Sequence, residues 1–173
     1  VHCALIYLGG DILYSQNGVV NANISLTVGT TNNYFSTDLA TGDFNSDGET
    51  DLAIGADGYT SDTGRVYLFY NKGSFPTSTA SADVTIDGAA TGGQFGSTLG
   101  AGDFNSDGTT DLAVGAVSYD SPTSAVGGIF IFYNDGTYPA TAATADVTIT
   151  GEASSSLGRS FAVGDFNSDG LTD

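Results

Sequence analysis

The sequence predicts an all-β fold of β-propeller blades, four antiparallel strands to a blade, and three observations carry that prediction. The heptapeptide GDFNSDG occurs at residues 42–48, 102–108 and 164–170. A longer unit repeats around it: residues 64–88 and 127–151 align without a gap, setting Tyr70 and Asn71 on Tyr133 and Asn134, Pro76 on Pro139 and Asp83 on Asp146. Between these landmarks lie short apolar runs, alternating or bounded by glycine, with no helical period among them. A repeat of about 60 residues filled by four such runs has the length of a propeller blade.

Residues 1–30 read as the tail strands of one blade, because Tyr7 and Leu8 fall on Tyr67 and Leu68, and Ala22, Ile24 and Leu26 on Ala82, Val84 and Ile86. Residues 31–90 and 91–152 each read as a full blade and 153–173 as the opening of a further one, so that 1–173 forms a single propeller segment. In the second full unit the expected strands are 98–104, 111–117, 129–133 and 145–149. The first of these is small and glycine-rich, which suits a backbone that neighbouring sheets approach closely. Phe44, Phe104 and Phe166 are expected to pack between adjacent sheets. The Ser-, Thr- and Ala-rich stretches 74–81 and 137–144 read as long connections. A closed propeller needs about four blades or more, so the chain is expected to be an incomplete wheel, either an arc of a larger one or one completed by other copies.

The heptapeptide has the spacing of a cation loop. Ca2+ takes six to eight oxygens at about 2.3–2.6 Å, so a short loop must turn several carboxylates inward and bend sharply. In the first copy Asp43, Asn45 and Asp47 occupy alternate positions, Gly48 supplies a bend at positive φ, Glu49 is expected to offer its backbone carbonyl, and Asp51 closes the set. The second copy gives Asp103, Asn105, Asp107, the carbonyl of Thr109, and Asp111; the third gives Asp165, Asn167, Asp169, the carbonyl of Leu171, and Asp173. An EF-hand would carry a bidentate Glu at its twelfth position between two helices. Here the twelfth positions are Ile54 and Val114, inside strand-like runs, so each loop joins two strands. One DxNxDG string alone could be a solvated turn. Three copies, each with the closing aspartate in place, favour Ca2+, one ion per loop.

Charge agrees with a cation-binding role. The 20 acidic and 3 basic residues give a formal net charge of −17. Clustered carboxylates of this kind repel one another until a cation neutralises them. With only Arg65, Lys72 and Arg159 as strong cations, contact with a nucleic-acid backbone is excluded. No apolar stretch approaches the ~20 residues of a membrane-spanning helix, so membrane insertion is not expected.

Nothing in the sequence assembles a catalytic centre. The single histidine and single cysteine, His2 and Cys3, stand at the start of the chain and cannot build a nucleophile–base pair or a zinc set. Glu49 and Glu152 are the only glutamates, and Glu49 sits within a loop. No catalytic residue is therefore assigned. The chain lacks an initiator Met and a leader, and is expected to be processed or cut from a longer protein. Asn23-Ile24-Ser25 forms a glycosylation sequon at the start of an expected strand.

Phe95-Gly96, the loop 103–111 and Gly115-Ala116 together resemble the FG-GAP repeat of integrin alpha-subunit propellers and their bacterial and archaeal relatives. The first of these pairs becomes Phe35-Ser36 in one unit and Leu157-Gly158 in another. The resemblance implies a propeller whose cation loops sit on the rim opposite the ligand face, where they rigidify the blades. It also implies an extracellular or cell-surface setting. Two function classes follow: a binding, adhesion or structural-assembly module with a protein or glycan ligand, and an accessory propeller of a secreted hydrolase or lyase. Self-assembly through exposed blade faces is a further expectation.

Overall fold

The computed structural model describes residues 3–6, 24–27, 34–121 and 124–173. His2, Tyr7, Leu8, Ala22 and the sequon residue Asn23 lie outside them. A first antiparallel pair joins β1 (Cys3–Ile6) to β2 (Ile24–Thr27). Then come two four-stranded antiparallel sheets. One is β3 (Phe35–Gly42), β4 (Asp51–Ala56), β5 (Arg65–Phe69) and β6 (Val84–Asp87), each strand hydrogen-bonded to the next in sequence. The other repeats that meander with β7 (Phe95–Gly102), β8 (Asp111–Ala116), β11 (Gly128–Phe132) and β12 (Val147–Thr150), while β9 (Asp120–Ser121) and β10 (Ser124–Ala125) form a small hairpin between β8 and β11. These are two propeller blades.

Both faces of the first blade are covered, and this explains why its strands read as nearly continuous apolar runs. Leu52 and Ile54 of β4 join Tyr67 and Phe69 of β5 in a cluster with Leu26 and Phe35. Ala53, Val66 and Leu68, on the alternate positions, join Phe44, Phe95, Leu112, Val114, Phe130 and Phe132 in the core between the two blades. Within that core Phe95 stands edge-on to Phe130, ring centres 5.6 Å apart, and Tyr119 edge-on to Phe130 at 5.1 Å. Aromatic pairs in this geometry add roughly 0.5–1.5 kcal/mol beyond the area they bury.

The loop phenylalanines do not share one fate. Phe44 is fully buried beneath the second blade, Phe104 is half-buried, and Phe166 is 70% exposed. The expectation that all three pack between sheets is therefore corrected for Phe166: among the described residues no sheet follows to cover it. The stretches read as connections do lie between strands. Stretches 74–81 and 137–144 contain short 3-10 turns, Thr79–Ser81 and Ala142–Thr144, capped when the Ser78 and Thr141 hydroxyls accept from Ala80 and Ala143 N–H. A tight turn, α1 (Tyr59–Asp62), connects β4 to β5, with Thr60, Ser61 and Asp62 in the left-handed region at φ 46°, 57° and 58°. In the second blade the same connection is three residues longer and holds the β9–β10 hairpin instead.

Glycines bring the blades together. The ladder of β3 with β4 is irregular between Phe35 and Leu39, and that of β7 with β8 between Phe95 and Thr98. At this kink Ser36 has φ 68° and Gly96 φ 90°. The kinked carbonyl of Gly96 presses on Gly55 of the preceding blade, so closely that a β-carbon there would lie 2.0 Å from it; Gly158 meets Gly115 in the same way at 2.1 Å. Single parallel bridges, Gly64 to Phe95 and Gly127 to Leu157, run along the same seam. Asp38 on β3 adds a polar tie by accepting from Leu99 N–H at 2.8 Å.

Candidate metal centres

In the two blades each candidate loop joins the first strand to the second, whereas the third, 165–173, follows a stretch with no strand among the described residues. Its shape is set by side chains that capture backbone N–H groups. Asp43 accepts from Asp47 N–H on Oδ1 at 3.0 Å and from Gly48 N–H on Oδ2 at 2.9 Å. Asn45 Oδ1 accepts from Asp47 N–H at 3.0 Å, and Asp47 Oδ1 from Glu49 N–H at 2.9 Å. Asp103, Asn105 and Asp107 repeat these bonds onto Asp107, Gly108 and Thr109, and Asp165, Asn167 and Asp169 onto Asp169, Gly170 and Leu171. The three glycines have φ of 89°, 87° and 87°. Ser46, Ser106 and Ser168 also enter the left-handed region, at 59°, 64° and 63°, a feature that serine does not announce in a sequence.

The closing aspartate ties the loop to the sheet. Asp51 is 1% exposed and accepts from Phe44 N–H on Oδ2 at 3.0 Å and from Asn71 N–H on Oδ1 at 2.8 Å. Asp111 is fully buried and accepts from Phe104 and Asn134 N–H at 2.9 and 2.8 Å. Asp173 accepts from Phe166 N–H at 2.9 Å but is exposed. Asn71 and Asn134 were not among the sequence candidates. The signal for them was present, as the Tyr-Asn pair that recurs at 70–71 and 133–134.

Burial pushes the Asp51 carboxyl above its usual range; the N–H bonds from Asn71 and Phe44 oppose this, and the charges of Asp47 and Asp43 add to it. Asp111 is raised in the same way, with Asp107 and Asp103 adding their charges. The acids of a loop therefore lie near enough to feel one another. Among the described residues, though, no three acidic, His or Cys side chains are gathered into a ready-made cage. Hydrogen bonds occupy these oxygens instead: both of Asp43 accept from backbone N–H groups, while Asp47 accepts from Glu49 N–H on Oδ1 and from the Asn45 side-chain amide on Oδ2. Asp107 is held below its usual range, chiefly by the Thr109 hydroxyl, then by Thr109 N–H and the Asn105 amide. An all-oxygen donor set with repelling carboxylates and a buried closing aspartate fits a hard divalent cation.

At the opposite end of the first blade lies a cavity of about 600 Å3 lined by Tyr34, Phe35, Ser36, Thr37, Asp57, Asp62 and Gln94. The Thr37 hydroxyl donates to Asp57 at 2.8 Å, and the Ser118 hydroxyl to Gln94 Oε1 at 2.5 Å. Four of its lining residues, Tyr34, Ser36, Asp62 and Gln94, have positive φ, a concentration of strained backbone of the kind that functional sites carry.

Residues 35–69 and 95–132 match the FG-GAP repeat. Rat phosphatidylinositol-glycan-specific phospholipase D is 39% identical over 105 residues, which is 55% of this chain and 12% of that protein. The mouse protein of the same name is 32% identical over 136 residues, 74% of this chain and 16% of it. Integrin alpha-PS5 of Drosophila melanogaster is 38% identical over 104 residues, 57% of this chain and 10% of it. The chain thus spans only a small part of the length of the relatives it matches.

Proposed function

Because this chain is built of FG-GAP repeats in propeller blades, we propose that it is an extracellular, Ca2+-stabilised binding or adhesion module whose loops each hold one cation. The observation that supports this most is the loop geometry, in which the same bonds from backbone N–H groups to Asp and Asn side chains recur around three DxNxDGxxD strings. The first ion would be held by Asp43, Asn45, Asp47, the carbonyl of Glu49 and Asp51; the second and third by the equivalent sets from Asp103 to Asp111 and from Asp165 to Asp173. The ion supplies positive charge that relieves repulsion among the loop carboxylates. The protein fixes the backbone: Asp51 and Asp111 already anchor their loops to strands that pack in the core.

The reading gives these residues no reaction of their own. A protein or glycan ligand is assigned to the strand ends opposite the loops, where the cavity bordered by Tyr34, Asp57, Asp62 and Gln94 offers an aromatic ring, carboxylates and an amide. No helix of the described residues is long and apolar enough to cross a membrane. Calorimetric titration of metal-stripped protein with CaCl2 tests the cation reading. Saturable binding that weakens when Asp47, Asp107 or Asp169 is changed to Ala supports it, and absence of heat at millimolar Ca2+ overturns it.

A second reading is favoured by the phospholipase D relatives: an accessory propeller that positions a hydrolase. The complete reading frame separates the two, since a neighbouring catalytic domain supports the second and an adhesion or anchoring segment the first.

A further inference from the structure

Asn134 is 3% exposed, and its backbone N–H and side-chain amide are both engaged. Its N–H donates to Asp111 Oδ1 at 2.8 Å, and its carbonyl lies 3.2 Å from the Thr109 hydroxyl, whose proton goes to Asp107 Oδ1 at 2.5 Å. Both partners belong to the second loop. Its side chain reaches the other way: Nδ2 donates to the Asp43 carbonyl at 3.3 Å and to Ser46 Oγ at 3.2 Å, both in the first loop. Oδ1 accepts from Gly136 N–H at 3.4 Å, which fixes the amide's orientation. One buried residue therefore holds two candidate cation loops from different blades.

Independent contacts join the loops along the same line. A β-carbon on Gly42 would lie 2.6 Å from Thr110 Cγ2, and one on Gly102 would lie 2.6 Å from Thr172 Cγ2. Asp103 N–H also donates to Thr172 Oγ1 at 3.2 Å. Each loop thus rests on the backbone that enters the loop before it.

We propose that Asn134 is a coupling residue, through which a divalent cation in the first loop raises the affinity of the second. The inference rests on the cation reading above and goes beyond it. A cation at the first loop fixes the backbone at Asp43 and Ser46, and so fixes the Asn134 amide. Its main-chain N–H is then already set against Asp111, and the second loop has less order left to acquire. Ordering shared between two sites in this way produces positive cooperativity, and the coupling is reciprocal.

The test is a double-mutant cycle with CaCl2 as the only ligand, followed by 15N–1H NMR of the Gly48 and Gly108 amides. Asp47→Ala disables the first loop while leaving Asn134 and its partners in place. In the otherwise unchanged chain it should weaken Ca2+ binding at Gly108 by about fivefold or more, the lower edge of ordinary coupling. In the Asn134→Ala background the same change should leave the second loop's affinity unaltered. Should Asn134→Ala fail to fold, Ser46→Ala removes one side-chain contact only and should reduce the coupling in part. Equal effects of Asp47→Ala with and without the Asn134 or Ser46 change overturn the coupling, as does an unchanged Gly108 response after Asp47→Ala. If neither glycine amide responds to Ca2+ at all, the cation reading itself fails; two independent responses overturn the coupling alone.

Discussion

The carbonyl oxygen of Gly96 lies 2.0 Å from the point where a β-carbon on Gly55 would stand. That contact gives the signature of the repeat its physical meaning: the glycine of one blade's Phe-Gly pair presses on the Gly-Ala glycine of the blade before. Gly55→Ala should therefore force backbone apart and destabilise the fold by about 1–3 kcal/mol or more. Gly48→Ala is the control, because nothing lies within 4 Å of the added carbon and only its φ of 89° objects, at about 1 kcal/mol. Urea midpoints for the two variants should fall in that order, and equal losses would refute the steric account.

Metal removal should lower the melting temperature markedly. With a Kd of ~0.1 mM in ~2 mM Ca2+, mass action stabilises the folded form by roughly 1.8 kcal/mol per site. Across three loops that is a large share of a margin of ~5–15 kcal/mol. Calorimetric melts in excess EGTA and in CaCl2 measure it, and superimposable curves would contradict the prediction.

Tyr138 should limit alkaline stability. Its hydroxyl is buried with no hydrogen-bond partner, and burial, helped by the nearby charges of Tyr70, Asp111 and Asp51, pushes its pKa up. A raised pKa in the fold means that stability is full below the unfolded value of about 10 and declines as pH rises through it. Tyr138→Phe should match or exceed the parent at pH 7, since an unmet polar group is removed, and should lose less between pH 9 and 11. A variant less stable at pH 7 would show that the hydroxyl has a role in the fold.

The ion pairs of Arg65 and Lys72 should differ in worth. Arg65 donates through Nε and Nη2 to Asp87, the second contact at 2.8 Å, and its guanidinium lies 3.9 Å from the centre of the Tyr59 ring. Lys72 pairs with Asp83 from a side chain 69% exposed. Arg65→Ala should cost about 1–2 kcal/mol, with Lys a poor replacement. Lys72→Ala should change stability by less than about 0.5 kcal/mol. Chemical denaturation of both variants decides the comparison.

Strand placement was legible because alternation and loop spacing are local. Residues 111–117 and 129–133 were marked by apolar runs between loop and turn, and the observed strands, Asp111–Ala116 and Gly128–Phe132, lie within one residue of them, whereas the glycine-rich 98–104 is displaced, its strand running Phe95–Gly102, and 145–149 corresponds to Val147–Thr150. The left-handed serines and the α1 turn were not legible, since Ser46 and Thr60 carry no conformational mark and owe their φ to surrounding bonds. The link from Asn134 to Asp43 spans 91 residues. No window along the chain contains it, although the repeated Tyr-Asn pair hinted that something held that position.

The connection between β4 and β5 contains α1, whereas its counterpart between β8 and β11 carries three extra residues and a hairpin. Yet Gly64 and Gly127, which follow these unequal segments, make the same bridge to the next unit, to Phe95 and Leu157. The repeat therefore keeps time by touch and not by residue count. Length can drift in this corner of the molecule while each unit stays in phase with its neighbour, leaving one region open to variation beside others that are held in register.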